Sequence, residues 1–145
     1  MTRAKRLQPV RNLVDDAQQR LAQSLSACEQ RLRESESRLE ELRRYRSEYE
    51  THFSRCAGSG MGVTGLRDYQ AFLARLGQAI GQQQELVGRA AAQRDAERTR
   101  WQEAARRAKA LGHVLERWQS EERQALDRRE QRDSDERAQR KVNRS

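Results

Sequence analysis

Apolar residues spaced alternately three and four apart, in two long series parted by one glycine cluster, restrict what this chain can become. The first series runs Leu7, Val10, Val14, Ala17, Leu21, Leu25, Cys28, Leu32, Ser35, Leu39, Leu42, Arg46, Tyr49, Phe53, Cys56. Thirteen of its fifteen positions are apolar or aromatic, Ser35 and Arg46 being the exceptions. The second series runs Leu66, Tyr69, Leu73, Leu76, Ile80, Gln83, Val87, Ala90, Arg94, Glu97, Trp101, Ala104, Ala108, Leu111, Leu115, Trp118, Glu122, Ala125, Arg129. It keeps strict heptad spacing for nine heptads, with fourteen of nineteen positions apolar. Such spacing lays a stripe along one face of an α-helix, wide enough for one partner helix. Two consecutive steps of four around Leu21 read as a stutter, which relaxes the left-handed supercoil locally.

Composition excludes a globule. Hydrophobic residues are 34% of the 145 and charged residues 36%, against a usual ~45–50% and ~25%. Pro9 is the single proline, and all eight glycines fall between Gly58 and Gly112. Four of them lie in AGSGMGVTG, residues 57 to 65, the one place where the chain can reverse. A short connection makes the helices antiparallel neighbours. The fold class expected is all-α: two long antiparallel helices in an intramolecular left-handed coiled-coil hairpin, the C-terminal helix longer. The spans expected are a helix over about 5–56, a turn over 57–65 and a helix over about 66–138. A frayed basic end over 139–145 completes a single domain, 1–145.

A turn centred near Met61 pairs residues whose numbers sum to about 122. Leu7 then meets Leu115, Leu21 meets Trp101, Ser35 meets Val87 and Phe53 meets Tyr69. On this register the first helix runs out opposite about Trp118, close to where the second series turns polar at Glu122 and Arg129. The agreement favours a hairpin over a parallel dimer. It leaves the second helix projecting ~20 residues, roughly 30 Å.

Charge collects at the termini. Arg3, Lys5, Arg6 and Arg11 precede the first acidic residue, Asp15, while Arg137, Arg140, Lys141 and Arg144 follow the last, Glu136. Antiparallel pairing is expected to bring both sets to one pole. That pole reads as an electropositive tip for an acidic surface or cavity, or as solvated chain ends that serve solubility. Nucleic acid is disfavoured, because no aromatic residue stands among these arginines to stack on bases.

Catalytic and cofactor motifs find no support. GMGVTG, residues 60 to 65, matches G-x-G-x-x-G without the strand and βαβ unit a dinucleotide site requires, so it reads as a hinge. P-loop spacing between Gly60 and Gly65 is followed by Leu66 and Arg67 where Lys and Ser/Thr are needed. Cys28 and Cys56 would lie about 42 Å apart on one helix, beyond disulfide reach. With His52 and His113 also far apart, the chain offers no credible zinc site. Two helices close no pocket in which a nucleophile and base could be activated. The expectation is no enzyme, no cofactor and no metal. No apolar run reaches the ~20 residues of a membrane span. The basic N-terminus lacks the apolar region of a secretory signal, so a cytoplasmic chain is expected.

Tyr45, Tyr49, Phe53, Tyr69 and Phe72 cluster beside the turn. Tyr49, Phe53 and Tyr69 hold stripe positions and read as core. Tyr45 and Phe72 flank the stripe, as does Ala79 beside Ile80, and read either as a docking patch or as a cap on the hairpin end.

LRDYQAFLARLGQAIGQQ (66 to 83) and LRRYRSEYE (42 to 50), with Trp101, KALGHVLERW (109 to 118) and DERAQR (135 to 140), resemble the flagellar type III export component FliJ over nearly the whole chain. The resemblance implies a hairpin similar to the γ-subunit stalk of rotary ATPases. It implies three partners: the hexameric export ATPase, the cytoplasmic part of the membrane export gate, and export chaperones. It maps a gate-contacting patch onto Leu42, Tyr45, Tyr49, Phe72, Leu76 and Ala79, with Arg38 and Gln83 at neighbouring positions. The ATPase would meet the terminal pole of Arg3, Lys5, Arg6, Arg11, Arg137, Arg140 and Lys141. It further implies a place at the inner face of the cell membrane, held only through partners. The equivalent stalk of a virulence-type secretion system, or a general coiled-coil scaffold, stays open as the alternative.

Overall fold

The computed structural model describes residues 2–144. Two helices account for nearly all of them: α1, Arg3–Ala57, and α2, Val63–Arg144, with no strand among the described residues. α1 opens on a side-chain cap, the Lys5 amide donating to Thr2 Oγ1 at 3.3 Å, which occupies one donor left free at a helix start. It closes on Ser59, whose amide and hydroxyl both donate to the Cys56 carbonyl, at 3.0 and 2.8 Å. Gly60 follows at φ +87°, a left-handed backbone that side chains disfavour. α2 then begins three residues earlier than its apolar stripe suggests, the Leu66 amide donating to the Gly62 carbonyl at 3.1 Å. At its far end α2 stays helical to Arg144, through the stretch expected to fray.

Contacts divide the chain into two compact units. Leu21–Trp101 forms one. Its core holds Cys28, Leu32, Leu39, Leu76 and Ile80, all less than a tenth exposed, with Leu42, Phe72 and Val87 packed against Leu39, Leu76 and Ile80. Gln83 is buried with them, and its Nε2 donates to the Ser35 carbonyl on the facing helix at 3.0 Å. A buried amide without a partner costs about 1–3 kcal/mol, so this bond is what makes a polar residue tolerable in the seam. Within this unit the cross-helix hydrogen bonds and ring contacts join residues whose numbers sum to 117–122. Phe53 meets Tyr69 as expected, whereas Ser35 meets Gln83 rather than Val87.

The other unit comprises residues 1–20 and 102–145. Ala4, Ala104 and Leu115 are its buried apolar residues, and Leu115 is wholly enclosed. On α1 the inward residues here are Ala4, Leu7, Arg11, Val14 and Gln18, while Val10 and Ala17 face solvent. Together with Leu21, Leu25 and Cys28 these restore an unbroken 3-4 alternation, so the expected stutter is absent. The physical reason is phase. α2 keeps a strict heptad, and a four-residue slip in one strand alone would turn its stripe away from the other. Arg11 and Gln18 supply their aliphatic stems to the seam, at the expense of exposing Val10 by 45% and Leu13 by 68%.

Candidate functional site

Leu42, Tyr45 and Tyr49 stand at i, i+3 and i+7 on α1, and Phe72, Leu76 and Ala79 at i, i+4 and i+7 on α2. Helical spacing thus puts each trio on one face. The structure brings the trios together through a ladder of five rings drawn alternately from the two helices. Tyr45 meets Phe72 edge-on at 5.9 Å, and Phe72 meets Tyr49 at 4.2 Å. Tyr49 then stacks on Tyr69 at 5.5 Å, and Tyr69 on Phe53 at 3.6 Å. Each such pair contributes about 0.5–1.5 kcal/mol beyond its buried area. The ladder therefore stiffens the end of the helix pair next to the turn.

Burial divides the six patch residues. Leu76 is core, while Leu42, Tyr49, Phe72 and Ala79 are half-buried. Tyr45 is half exposed and forms the free rung. Beside it lies a shallow groove of about 440 Å³ lined by Arg38, Glu41, Leu42, Tyr45 and Gln83. Arg38 and Gln83 thus take part in the same surface as Tyr45, and Glu41 joins them unforeseen. Among the rings, the Tyr69 phenol has its pKa raised above 10.0, first by desolvation, then by the Glu50 carboxylate and by Tyr49. All three favour the neutral hydroxyl.

The terminal basic residues behave differently from expectation. Arg3 is engaged within its unit: its guanidinium donates to Glu121 at 2.9 Å and lies 4.7 Å over the Trp118 ring. The Ala4 amide donates to Glu122 at 3.4 Å, so α1 begins level with residues 118–122 of α2. Arg11 is half-buried and pairs with Asp15 at 3.7 Å. Lys5 and Arg6 stay exposed. Arg137, Arg140, Lys141 and Arg144 recur at i, i+3, i+4 and i+7, one face of α2. From Glu122 to Arg137 is fifteen residues, roughly 22 Å of helix. The two basic sets therefore share a unit but not a patch. Every residue from Arg123 to Arg144 is exposed.

GMGVTG is split between the connection and α2: Gly60 has a left-handed backbone, and α2 starts inside the motif at Val63. A β-carbon at Gly65 would stand 2.7 Å from Met61 Cγ, so the missing side chain there lets Met61 fold over the turn. No helix of the described residues is long and apolar enough to cross a membrane.

Two long packed helices with no strand among the described residues define the class as a coiled-coil protein. The chain belongs to the FliJ family: the family described as Flagellar FliJ protein matches residues 3–145. That makes it a component of the flagellar export apparatus, from a family of non-enzymatic structural and adaptor proteins. No curated protein and no solved structure matches the chain.

Proposed function

We propose that the chain is the stalk of the flagellar export ATPase, coupling its hexameric ring to the cytoplasmic part of the membrane export gate. The observation that carries this reading is the overhang: α2 runs 22 residues past Glu122 with no facing helix. A lone polar helix of about 33 Å gains little by itself in water. A ring with an acidic lining would give it neighbours on every side, and the face of Arg137, Arg140, Lys141 and Arg144 suits such a lining. Arg3, Lys5, Arg6 and Arg11 lie at the base of the overhang, where they would meet the rim.

The aromatic end serves the gate. Tyr45 is the anchor, Arg38 and Glu41 flank it, and Leu42, Tyr49, Phe72, Leu76 and Ala79 hold it from beneath. Export chaperones are the third class of partner. The protein works in the cytoplasm, reaching the inner face of the membrane through its partners and hydrolysing no nucleotide itself. A virulence-type stalk is the less favoured reading, since the family matched is the flagellar one.

The direct test adds the purified chain to its cognate ATPase and follows hexamer formation and ATP hydrolysis. Both rise if the reading holds, and the chain alone hydrolyses nothing. An ATPase indifferent to the chain refutes it. For the gate, Tyr45→Ala is the informative variant, because Phe72 packs against Leu39, Leu76 and Ile80. Tyr45→Ala should keep full helicity and lose gate binding.

A further inference from the structure

The residues that phase with α2 turns outward belong to a second series on α1. Arg3, Arg6, Val10, Leu13, Ala17 and Arg20 stand alternately three and four apart, which is one helical face, and all six are exposed. α2 carries a matching series in the same unit: Glu103, Arg107, Ala110, Val114, Arg117 and Glu121. Of these, Val114 is half-buried and the rest are exposed. Arg3 holds Glu121 at 2.9 Å, which sets both series on the same flank of the helix pair. A heptad step returns each helix of a coiled coil to the same face. Counted by heptads from the Arg3–Glu121 pair, Val10 comes level with Val114 and Ala17 with Arg107. The steps between bring Arg6 level with Arg117, Leu13 with Ala110 and Arg20 with Glu103.

The middle of this flank is therefore apolar on both helices, and Val10 and Leu13 are 45% and 68% exposed within it. Apolar residues scattered singly over a surface need no explanation, but a contiguous strip marks a contact site. Two helices side by side leave a groove along their flank, and a third helix is the element that fills it. Charge selects the occupant. The two series hold five arginines and two glutamates, a net +3. A second copy would set the same positive charge against it, whereas an acidic helix complements it.

We propose that this flank docks an acidic amphipathic helix of another protein. Apolar residues of that helix, at i, i+3 and i+7, would cover Val10, Leu13 and Val114. Its Asp and Glu side chains would lie on either side, toward Arg6, Arg107 and Arg117. Arg3 to Arg20 spans roughly 26 Å, which accommodates nearly five turns. The flank shares Arg3 and Arg6 with the pole assigned to the ATPase, but its apolar middle serves neither surface proposed above.

The probe is a synthetic peptide of about 18 residues, five helical turns, with leucine at the i, i+3 and i+7 positions and glutamate on the flanks. A scrambled peptide of equal composition is its control. Mixed with the full-length chain, the patterned peptide should gain helicity beyond the sum of the separate circular dichroism spectra. By fluorescence anisotropy it should bind more tightly than the scrambled one. Leu13→Ser leaves charge unchanged at an exposed position, so it should fold as wild type does. It should weaken binding by about 10-fold or more, the effect of losing one buried leucine. Arg107→Gln combined with Arg117→Gln should weaken binding at low salt and flatten its salt dependence. Arg137→Gln combined with Arg140→Gln, on the overhang, should leave binding unchanged, so the ATPase reading can fail while this one stands. Equal affinity for both peptides, or full affinity in Leu13→Ser, overturns the proposal. A wild-type dimer that Leu13→Ser dissociates in sedimentation overturns it too, because the occupant is then a second copy.

Discussion

At the scale of single residues, the seam is uneven, and its inequalities can be measured. Among the described residues Leu115 is the one large side chain wholly enclosed, and Leu13 on the partner helix of the same unit is 68% exposed. Truncation of a buried leucine costs about 2–5 kcal/mol, so Leu115→Ala should lower the thermal midpoint clearly in a circular dichroism melt. Leu13→Ala should shift stability by no more than ~0.5 kcal/mol. If the two melts coincide, the burial pattern is wrong. Tyr69 offers a pH test. Its folded pKa is raised, so its contribution is complete below the unfolded value near 10 and is lost as pH climbs through the folded one. Alkaline melts should therefore fall above pH ~10 in wild type, and less steeply in Tyr69→Phe. Gln83 shows what pattern reading does not reach at this scale. A stripe position filled by an amide is visible in sequence, but its bond to the Ser35 carbonyl depends on a local pairing, 35 with 83, that the deduced register does not give.

Among elements, most of the helix pair was legible, because a heptad records burial directly in residue order. From Tyr69 to Glu122 every stripe position of α2 is buried or half-buried, as its spacing requires. The failure lay near Leu21. Hydrophobicity alone preferred Val10 and Ala17, whereas phase with α2 selected Arg11 and Gln18, whose long stems bury without their charge or amide. Sequence shows which residues are apolar, and only the partner helix decides which are inward. The two flanking rings differ for a related reason. Phe72 flanks the stripe but is drawn inward by Tyr49 at 4.2 Å, leaving Tyr45 as the free ring. Two glycines test the elements with opposite sign. A β-carbon at Gly88 meets nothing within 4 Å, so Gly88→Ala should stabilise α2 by about 0.4–1 kcal/mol. Gly60→Ala meets nothing either, but at φ +87° it should destabilise the turn, by about 1 kcal/mol. Paired denaturant melts that move in the same direction would contradict the turn geometry.

At the scale of the whole molecule, charge is partitioned between the two units. Residues 1–20 and 102–145 hold 17 basic and 11 acidic residues, a net +6, whereas Leu21–Trp101 holds 13 and 11, a net +2. The unit assigned to the ATPase therefore carries most of the charge, and the unit assigned to the gate carries the aromatic ladder. Physical chemistry then predicts two different salt dependences. Contacts between exposed charges weaken as the screening length falls from ~10 Å at 0.1 M salt toward ~3 Å at 1 M, whereas burial of aromatic surface does not. Stimulation of the ATPase should decline with added salt, and gate binding should hold. Truncation after Arg123 separates folding from function on the same logic. The deleted residues are all exposed, and the Ala4–Glu122 bond and the Arg3 contacts remain. The Tm should stay near wild type while ATPase stimulation disappears and gate binding persists. Tyr45→Ala should give the converse. Should truncation instead abolish gate binding with helicity intact, the two surfaces do not act independently, and assigning one partner to each unit fails.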